Sequence, residues 1–185
     1  DLLRACLDDH NPQVRRRAAV ALARGGDPRG FRDCVEALQD NELLLDALDA
    51  LGTLGNRDAV DAIAVRSVGL LRPLVIKAAA GRALTRLGDP RGVEVLRQVL
   101  TAWRSDARSF AVEIVGELGL RALVPVLARL VHSPRGTDPT TLAKALAVLS
   151  QSDSDARTAL FELRDQDAQT AEIVKNALAE VLNGE

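Results

Sequence analysis

The sequence predicts an all-α protein, a right-handed α-solenoid of about six antiparallel helix pairs. The first observation is an internal repeat: the second half of segment 9–40 returns as 76–100 after a shift of 62 residues. This shift is two units of about 31 residues, a period typical of stacked helical repeats. The second observation is that apolar residues recur at helical spacing, with no alternation typical of strands. The third is a glycine or an equivalent residue at regular intervals, where a helix would end.

The predicted elements come in pairs, each an A helix followed by a B helix. The pairs are 2–8 with 12–25, 28–39 with 42–54, 58–71 with 73–87, 91–103 with 105–118, 120–132 with 138–149, and 155–166 with 170–182. We expect a single array over 1–185, with repeats at approximately 1–26, 27–55, 56–88, 89–119, 120–150 and 151–185. Leu2, Leu3 and Leu7 would have no earlier helix to pack on, so we expect further repeats or a subunit against this end and a longer parent chain.

Each B helix is expected to end at a recurring residue. These residues are Gly26, Gly55, Gly88, Gly119, Ser150 and Leu182. A glycine here suits the left-handed conformation that caps a helix. In two repeats Asp-Pro-Arg-Gly follows, at 27–30 and 89–92. The aspartate can cap the next helix and the proline suits its first turn, so one short segment ends one helix and begins another.

The composition restricts the possible functions. The net charge is −2, so no overall field attracts the protein to nucleic acid or anionic lipid. No apolar run approaches the ~20 residues that span a bilayer. Cys6 and Cys34 fall on predicted helices, and Cys34 aligns with core positions of other repeats. We therefore expect a cytoplasmic protein without a membrane segment, and a buried thiol at Cys34.

The repeat carries a recognisable motif. Its residues are Asn11-Pro12-x-Val14-Arg15-x-x-Ala18-x-x-Ala21-Leu22 followed by Gly26-Asp27-Pro28-Arg29. This pattern resembles the short bacterial type of HEAT repeat that is also found in phycobilisome lyase subunits. The resemblance implies an α-solenoid whose B helices line a concave surface that binds other macromolecules. The motif describes packing and identifies no active site, while Arg15 is expected to pair with Asp8, Asp9 or Asp46.

On this resemblance, B-helix positions between the buried ones face the concave surface. The wider set includes Val20, Ala78 and Ala79. The residues that we select as candidates for partner binding are Arg16, Arg17, Arg24, Asp46, Asp49, Arg82, Arg86, Phe110, Glu113, Glu117 and Lys144. Their charge alternates in sign from one repeat to the next. The packed axes of neighbouring helices lie about 8–10 Å apart, so these side chains can meet.

Two interpretations of this face remain open. It can be a ladder of ion pairs that neutralise one another, each exposed pair contributing about 0.2–1 kcal/mol. It can also be a charged groove that recognises a partner segment with the opposite pattern. Both can hold, because weak exposed pairs can be exchanged for contacts with a partner.

Several alternatives are less well supported by the residues. The run 15–17 of three arginines suggests phosphate binding, yet acidic residues interrupt any continuous basic stripe. His10 and His132 are the only histidines, and relatives of this repeat class that hydroxylate protein side chains use repeated His-Glu pairs. We therefore expect no metal, no cofactor and no catalytic residue.

Two aromatic residues and one loop stand out from the repeat. Trp103 lies at the end of an A helix, where we expect it to seal the hairpin, although Trp is also a favoured interface anchor. Phe110 is placed on the inner face. The loop 132–139 is the longest break in the pattern, and we interpret it as a connector.

The main functional hypothesis is a non-catalytic protein-protein interaction scaffold or regulatory module, and therefore not an enzyme. The alternative is a bilin lyase-like accessory subunit of a heterodimer, which the resemblance implies. A nucleic-acid-binding solenoid is the third hypothesis. The expected partner is a protein, with no nucleic acid and no membrane.

Overall fold

A computed structural model of the chain describes residues 2–69, 72–133 and 136–183. These residues contain helices and turns and no strand. They divide into two compact units, Asp1–Val95 and Leu96–Glu185. The predicted class, an all-α solenoid of paired helices, is confirmed. The single array over 1–185 and its repeat boundaries stay a prediction.

The described residues of the first unit contain six complete helices. They are α1 (Leu2–Ala5), α2 (Pro12–Arg24), α3 (Phe31–Ala37), α4 (Leu44–Leu54), α5 (Val60–Ser67) and α6 (Leu74–Arg86). Short 3₁₀ turns precede α3 at Pro28–Gly30 and α5 at Arg57–Ala59. The B helices α2, α4 and α6 pack side by side, with α4 between the other two.

Helix α7 (Arg91–Leu100) begins in the first unit, and the second unit contains its last turns and the remaining helices. These are α8 (Ser105–Glu117), α9 (Val124–Val131), α10 (Pro139–Ser150), α11 (Ser154–Arg164) and α12 (Ala168–Asn183). Here α10 is the central B helix, because it packs against α8, α11 and α12.

Several predicted A helices are too long. The predicted helices 28–39, 58–71 and 120–132 begin with a 3₁₀ turn, and α7 ends at Leu100 instead of residue 103. Residues 70 and 71 of the predicted helix 58–71 lie outside the described residues, and so do residues 134 and 135 of the loop 132–139.

The predicted glycine stops are present. Gly26, Gly55, Gly88 and Gly119 all have positive φ, between 61° and 77°. The Asp-Pro-Arg-Gly segment then starts the next A helix: Asp89 Oδ1 accepts hydrogen bonds from the Arg91 backbone N and from Arg91 Nε, both at 2.9 Å. The side-chain hydrogen bond from Arg91 lowers the pKa of Asp89 to about 2.

The last glycine of this segment is required for close packing. A Cβ at Gly92 would lie 2.6 Å from the Thr85 backbone N and 2.7 Å from the Gly81 carbonyl oxygen. The start of α7 therefore contacts α6 directly, backbone to backbone. Any side chain at residue 92 would push the two helices apart.

The core of each unit consists mostly of leucine and alanine. Leu48 and Leu51 are completely buried in the first unit, as are Leu127 and Leu146 in the second. The predicted burial of Cys34 is confirmed, and desolvation raises the pKa of its thiol to about 12. Leu2 and Leu3 are exposed on α1, while the expected cover of this end by further repeats or a subunit stays a prediction.

Candidate binding surface

In the first unit, ion pairs join the three neighbouring B helices through one aspartate. Asp49 on α4 accepts a hydrogen bond from Arg86 Nη1 at 2.9 Å and pairs with Arg82 Nη2 at 3.1 Å, both on α6. Arg24 on α2 binds Asp46 at 2.6 Å and lies 3.8 Å from Asp49. Three arginines thus surround two aspartates on this face, which we call the arginine cluster. It comprises Arg24, Asp46, Asp49, Arg82 and Arg86.

The arginines at the start of α2 separate into different environments. Arg17 is exposed and pairs with Glu42 at 3.0 Å. Arg16 is half-buried, and its Nε has no hydrogen-bond partner within the part of the chain that the structure describes. Arg15 does not pair with any of the three expected acids; its Nε lies 3.4 Å from Asp33 Oδ1. Its Nη1 donates at 2.8 Å to the backbone carbonyl of Asp9.

In the second unit, a groove of about 360 Å³ runs between α8 and α10. Glu113 and Glu117 line one wall, and Thr140, Thr141 and Lys144 line the other. Lys144 Nζ binds Glu180 on α12 at 2.8 Å. We call this feature the α8–α10 groove.

The close approach of α8 and α10 forms the floor of the groove. A Cβ at Gly116 would lie 2.8 Å from the Ala145 Cα, so the glycine lets the two backbones come together. Val148, which is 41% exposed, continues the apolar floor along α10. The groove therefore combines one acidic wall, on α8, with an apolar base.

The predicted ion pairs between B helices are thus present in the first unit, and in the second unit one described pair, Lys144 with Glu180, joins α10 to α12. Some positions assigned to the concave face are wrong. Val20, Ala78 and Ala79 are buried, and Phe110 is half-buried on α8. The physical reason is the close packing of B helices with small side chains, which covers a wider arc of each helix than the repeat pattern suggests. The role of the eleven candidates in partner binding stays a prediction.

Sequence reasoning missed Arg108, whose side chain is buried although it is charged. It is 1% exposed, and Nη1 donates to the carbonyl of Ala102 at 2.8 Å, while Nη2 donates to the carbonyl of Gly136. Arg108 thereby fastens the described end of the α9–α10 loop to α8. A shift of 93 residues aligns it with Arg15, and that alignment was the signal that could have found it.

The expected sealing role of Trp103 is wrong. Its side chain is 78% exposed, because α7 ends three residues earlier and leaves it in the turn before α8. It is one of the largest exposed apolar side chains of the second unit.

Within residues 2–69, 72–133 and 136–183, no three His, Cys, Asp or Glu side chains are grouped so that they could hold a metal ion. Among the helices of the described chain, none combines the length and apolar composition of a bilayer-spanning segment. His132 Nε2 lies 3.1 Å from Glu162 Oε2, both exposed.

Comparison with known proteins identifies the repeat. Residues 76–101 match the family model of the PBS lyase HEAT-like repeat. No curated protein matches the chain. The resemblance to HEAT repeats of this type is confirmed.

Solved structures share the fold over nearly the whole chain. The complex of CpcE and CpcF of phycocyanin lyase from Nostoc sp. PCC7120 has a TM-score of 0.59 and 20% identity, covering 97% of this chain and 76% of that chain. Human deoxyhypusine hydroxylase in complex with glycerol has a TM-score of 0.51 and 18% identity, covering 98% and 83%. An engineered protein has a TM-score of 0.54 and 20% identity, covering 99% and 96%. At these identities the likeness concerns the fold.

The prediction that the chain is not an enzyme is wrong as stated. The matching repeat takes its name from a lyase, and two of the similar structures are those of enzymes. The absence of familiar catalytic motifs is therefore no argument against catalysis for this fold. These findings favour the lyase-like alternative over the scaffold hypothesis.

Proposed function

We propose that this chain is a subunit of a lyase-type enzyme that acts on a bilin-carrying protein, and that its charged B-helix faces bind the protein partner. One observation carries the proposal. The segment that matches the PBS lyase HEAT-like repeat, 76–101, includes α6 from residue 76 onwards, and with it Arg82 and Arg86 of the arginine cluster. The matched repeat therefore supplies two of the five residues of the arginine cluster.

The chemistry of the cluster suits exchangeable contacts. The side chains of Asp49, Arg82 and Arg86 are 29%, 20% and 25% exposed, so the pairs are partly open to solvent. Asp49 lies close to three guanidinium groups at once, and a carboxylate from a partner can replace it as the counter-ion of one of them. Arginine is suited to this exchange because its planar group binds carboxylates with two parallel hydrogen bonds.

The similar lyase structure supports a heteromeric arrangement. That structure is a complex of two different proteins, CpcE and CpcF. By analogy, this chain would act together with a second subunit, and the partner expected from the sequence is a protein.

The experiment is a reconstitution assay. The purified chain is mixed with a candidate second subunit, an apo-phycocyanin subunit and phycocyanobilin, and the visible absorbance spectrum is followed. An absorbance change that requires this chain supports the proposal, and a spectrum identical with and without it contradicts the proposal.

Matched variants connect the activity to the arginine cluster. We expect Arg86→Gln to reduce the rate severalfold because it removes the shortest contact to Asp49. Arg32→Gln removes the same charge from a side chain that is 91% exposed in the same unit, and it should keep the parental rate. Equal losses in both variants would show that the cluster has no special role.

A further inference from the structure

We infer that the α8–α10 groove is a docking site for a basic segment of the protein partner, which inserts one arginine or lysine side chain. The inference rests on the proposed function for the nature of the partner. It deepens that function by naming the chemistry that the second unit recognises. Its evidence is the shape, the floor and the charge of the groove.

The lining of the groove carries a net negative charge, and one of its carboxylates is not paired within the described chain. Among the described residues that line the groove, Lys144 is the only basic one, and Glu180 already binds it at 2.8 Å. Glu113 is exposed and makes no hydrogen bond or ion pair with any described residue. A carboxylate in this position can bind a cation from a partner without first losing a contact within the chain.

The apolar floor of the groove is suited to the aliphatic stem of a basic side chain. Gly116, Ala145 and Val148 form an apolar strip beside the acidic wall. Arginine and lysine have an apolar stem and a charged end, and they commonly lay the stem along apolar surface. The hydroxyl of Thr140 makes no described hydrogen bond, so it can accept one from the inserted cation.

The size of the groove is compatible with this occupant. Its volume of about 360 Å³ lies near the lower end of the range for small-ligand sites, about 300–1,000 Å³. One long side chain and part of the backbone that carries it would occupy such a space. An acidic segment would instead meet Glu113 and Glu117, and like charges repel.

The test uses two labelled peptides of equal length, an alanine-rich peptide with two arginines and the same peptide with two glutamates. Fluorescence anisotropy measures their binding to the whole chain. We expect saturable binding of the arginine peptide only. Glu113→Gln should weaken it about two- to fivefold, the effect of one exposed ion pair.

A matched control and a second variant make the result specific. Glu172→Gln removes the same charge from an exposed side chain on α12 that pairs with Lys175, so binding should stay as in the parent. Val148→Arg places a tethered cation on the floor of the groove, and it should reduce binding by more than tenfold.

The outcomes separate this inference from the proposed function. Equal loss in the Glu113 and Glu172 variants, binding of the glutamate peptide, or full binding to the Val148 variant would overturn the docking site. Failure of the absorbance assay with groove-specific peptide binding would overturn the lyase role and leave the site standing. A chain that is active in the absorbance assay but binds neither peptide would overturn the docking site and leave the lyase role standing.

Discussion

Asp49 is the residue whose removal most directly tests the description of the arginine cluster. Asp49→Asn keeps the size of the side chain and removes its negative charge. Three guanidinium groups, those of Arg24, Arg82 and Arg86, then lose their shared counter-charge. We expect the chain to fold and its free energy of unfolding to fall.

The magnitude follows from the distances and the exposure. The contacts with Arg86 at 2.9 Å and Arg82 at 3.1 Å are short, while the distance to Arg24, 3.8 Å, adds little. These side chains are less than a third exposed, so each short contact is worth somewhat more than a typical surface pair, which contributes about 0–1 kcal/mol. The sum is a loss of about 1–2 kcal/mol.

Urea unfolding followed by far-ultraviolet circular dichroism measures this loss. Asp61→Asn is the matched control, because the Asp61 side chain is 96% exposed and its partner Arg91 retains Asp89. The control should stay within about 0.5 kcal/mol of the parent. The difference between the two variants should shrink at about 1 M salt, where surface charges are screened within about 3 Å. Equal stability of the two variants at low salt would refute the central role of Asp49.

Three further predictions concern packing, pH and thiol chemistry. Gly92→Ala should destabilise the chain by about 1–3 kcal/mol in thermal unfolding, because the added Cβ meets backbone atoms, whereas Gly25→Ala, whose Cβ would meet its nearest atom at 3.4 Å, should change it little. The pKa of Asp89 is lowered from 3.8 to about 2, so its ionised carboxylate stabilises the folded chain at pH values above the ordinary pKa. This stabilisation is lost as the pH falls from about 4 to about 2, and Asp89→Asn should remove this part of the pH dependence of the free energy of unfolding. The thiol of Cys34 should resist alkylation at about pH 8 until the chain unfolds, while the half-buried Cys6 reacts first, as peptide mass spectrometry would show; early modification of Cys34 would contradict its burial.

The sequence by itself determined the repeating architecture, because its signals act between near neighbours. The glycine at 88 and the segment 89–92 end one helix and begin the next by local dihedral angles, caps and hydrogen bonds within a few residues. Apolar spacing identified the centre of the buried face, as at Ala18 and Leu22 on α2 and Ala80 and Leu84 on α6. For this reason all twelve helices were predicted close to their positions in the described chain.

Only the tertiary structure decided which side chains meet. Asp49 contacts arginines that lie 25 residues before it and 33 and 37 residues after it, and the burial of Arg108 depends on a carbonyl 28 residues away. Such contacts depend on how closely two helices approach, and that distance is set by small residues such as Gly116 against a particular neighbour. The periodicity of a single helix contains no information on this distance, which is why Val20 was assigned to the surface and Trp103 to a sealed turn. The charge pattern showed that ion pairs were available, and the packing of the B helices selected the ones that form.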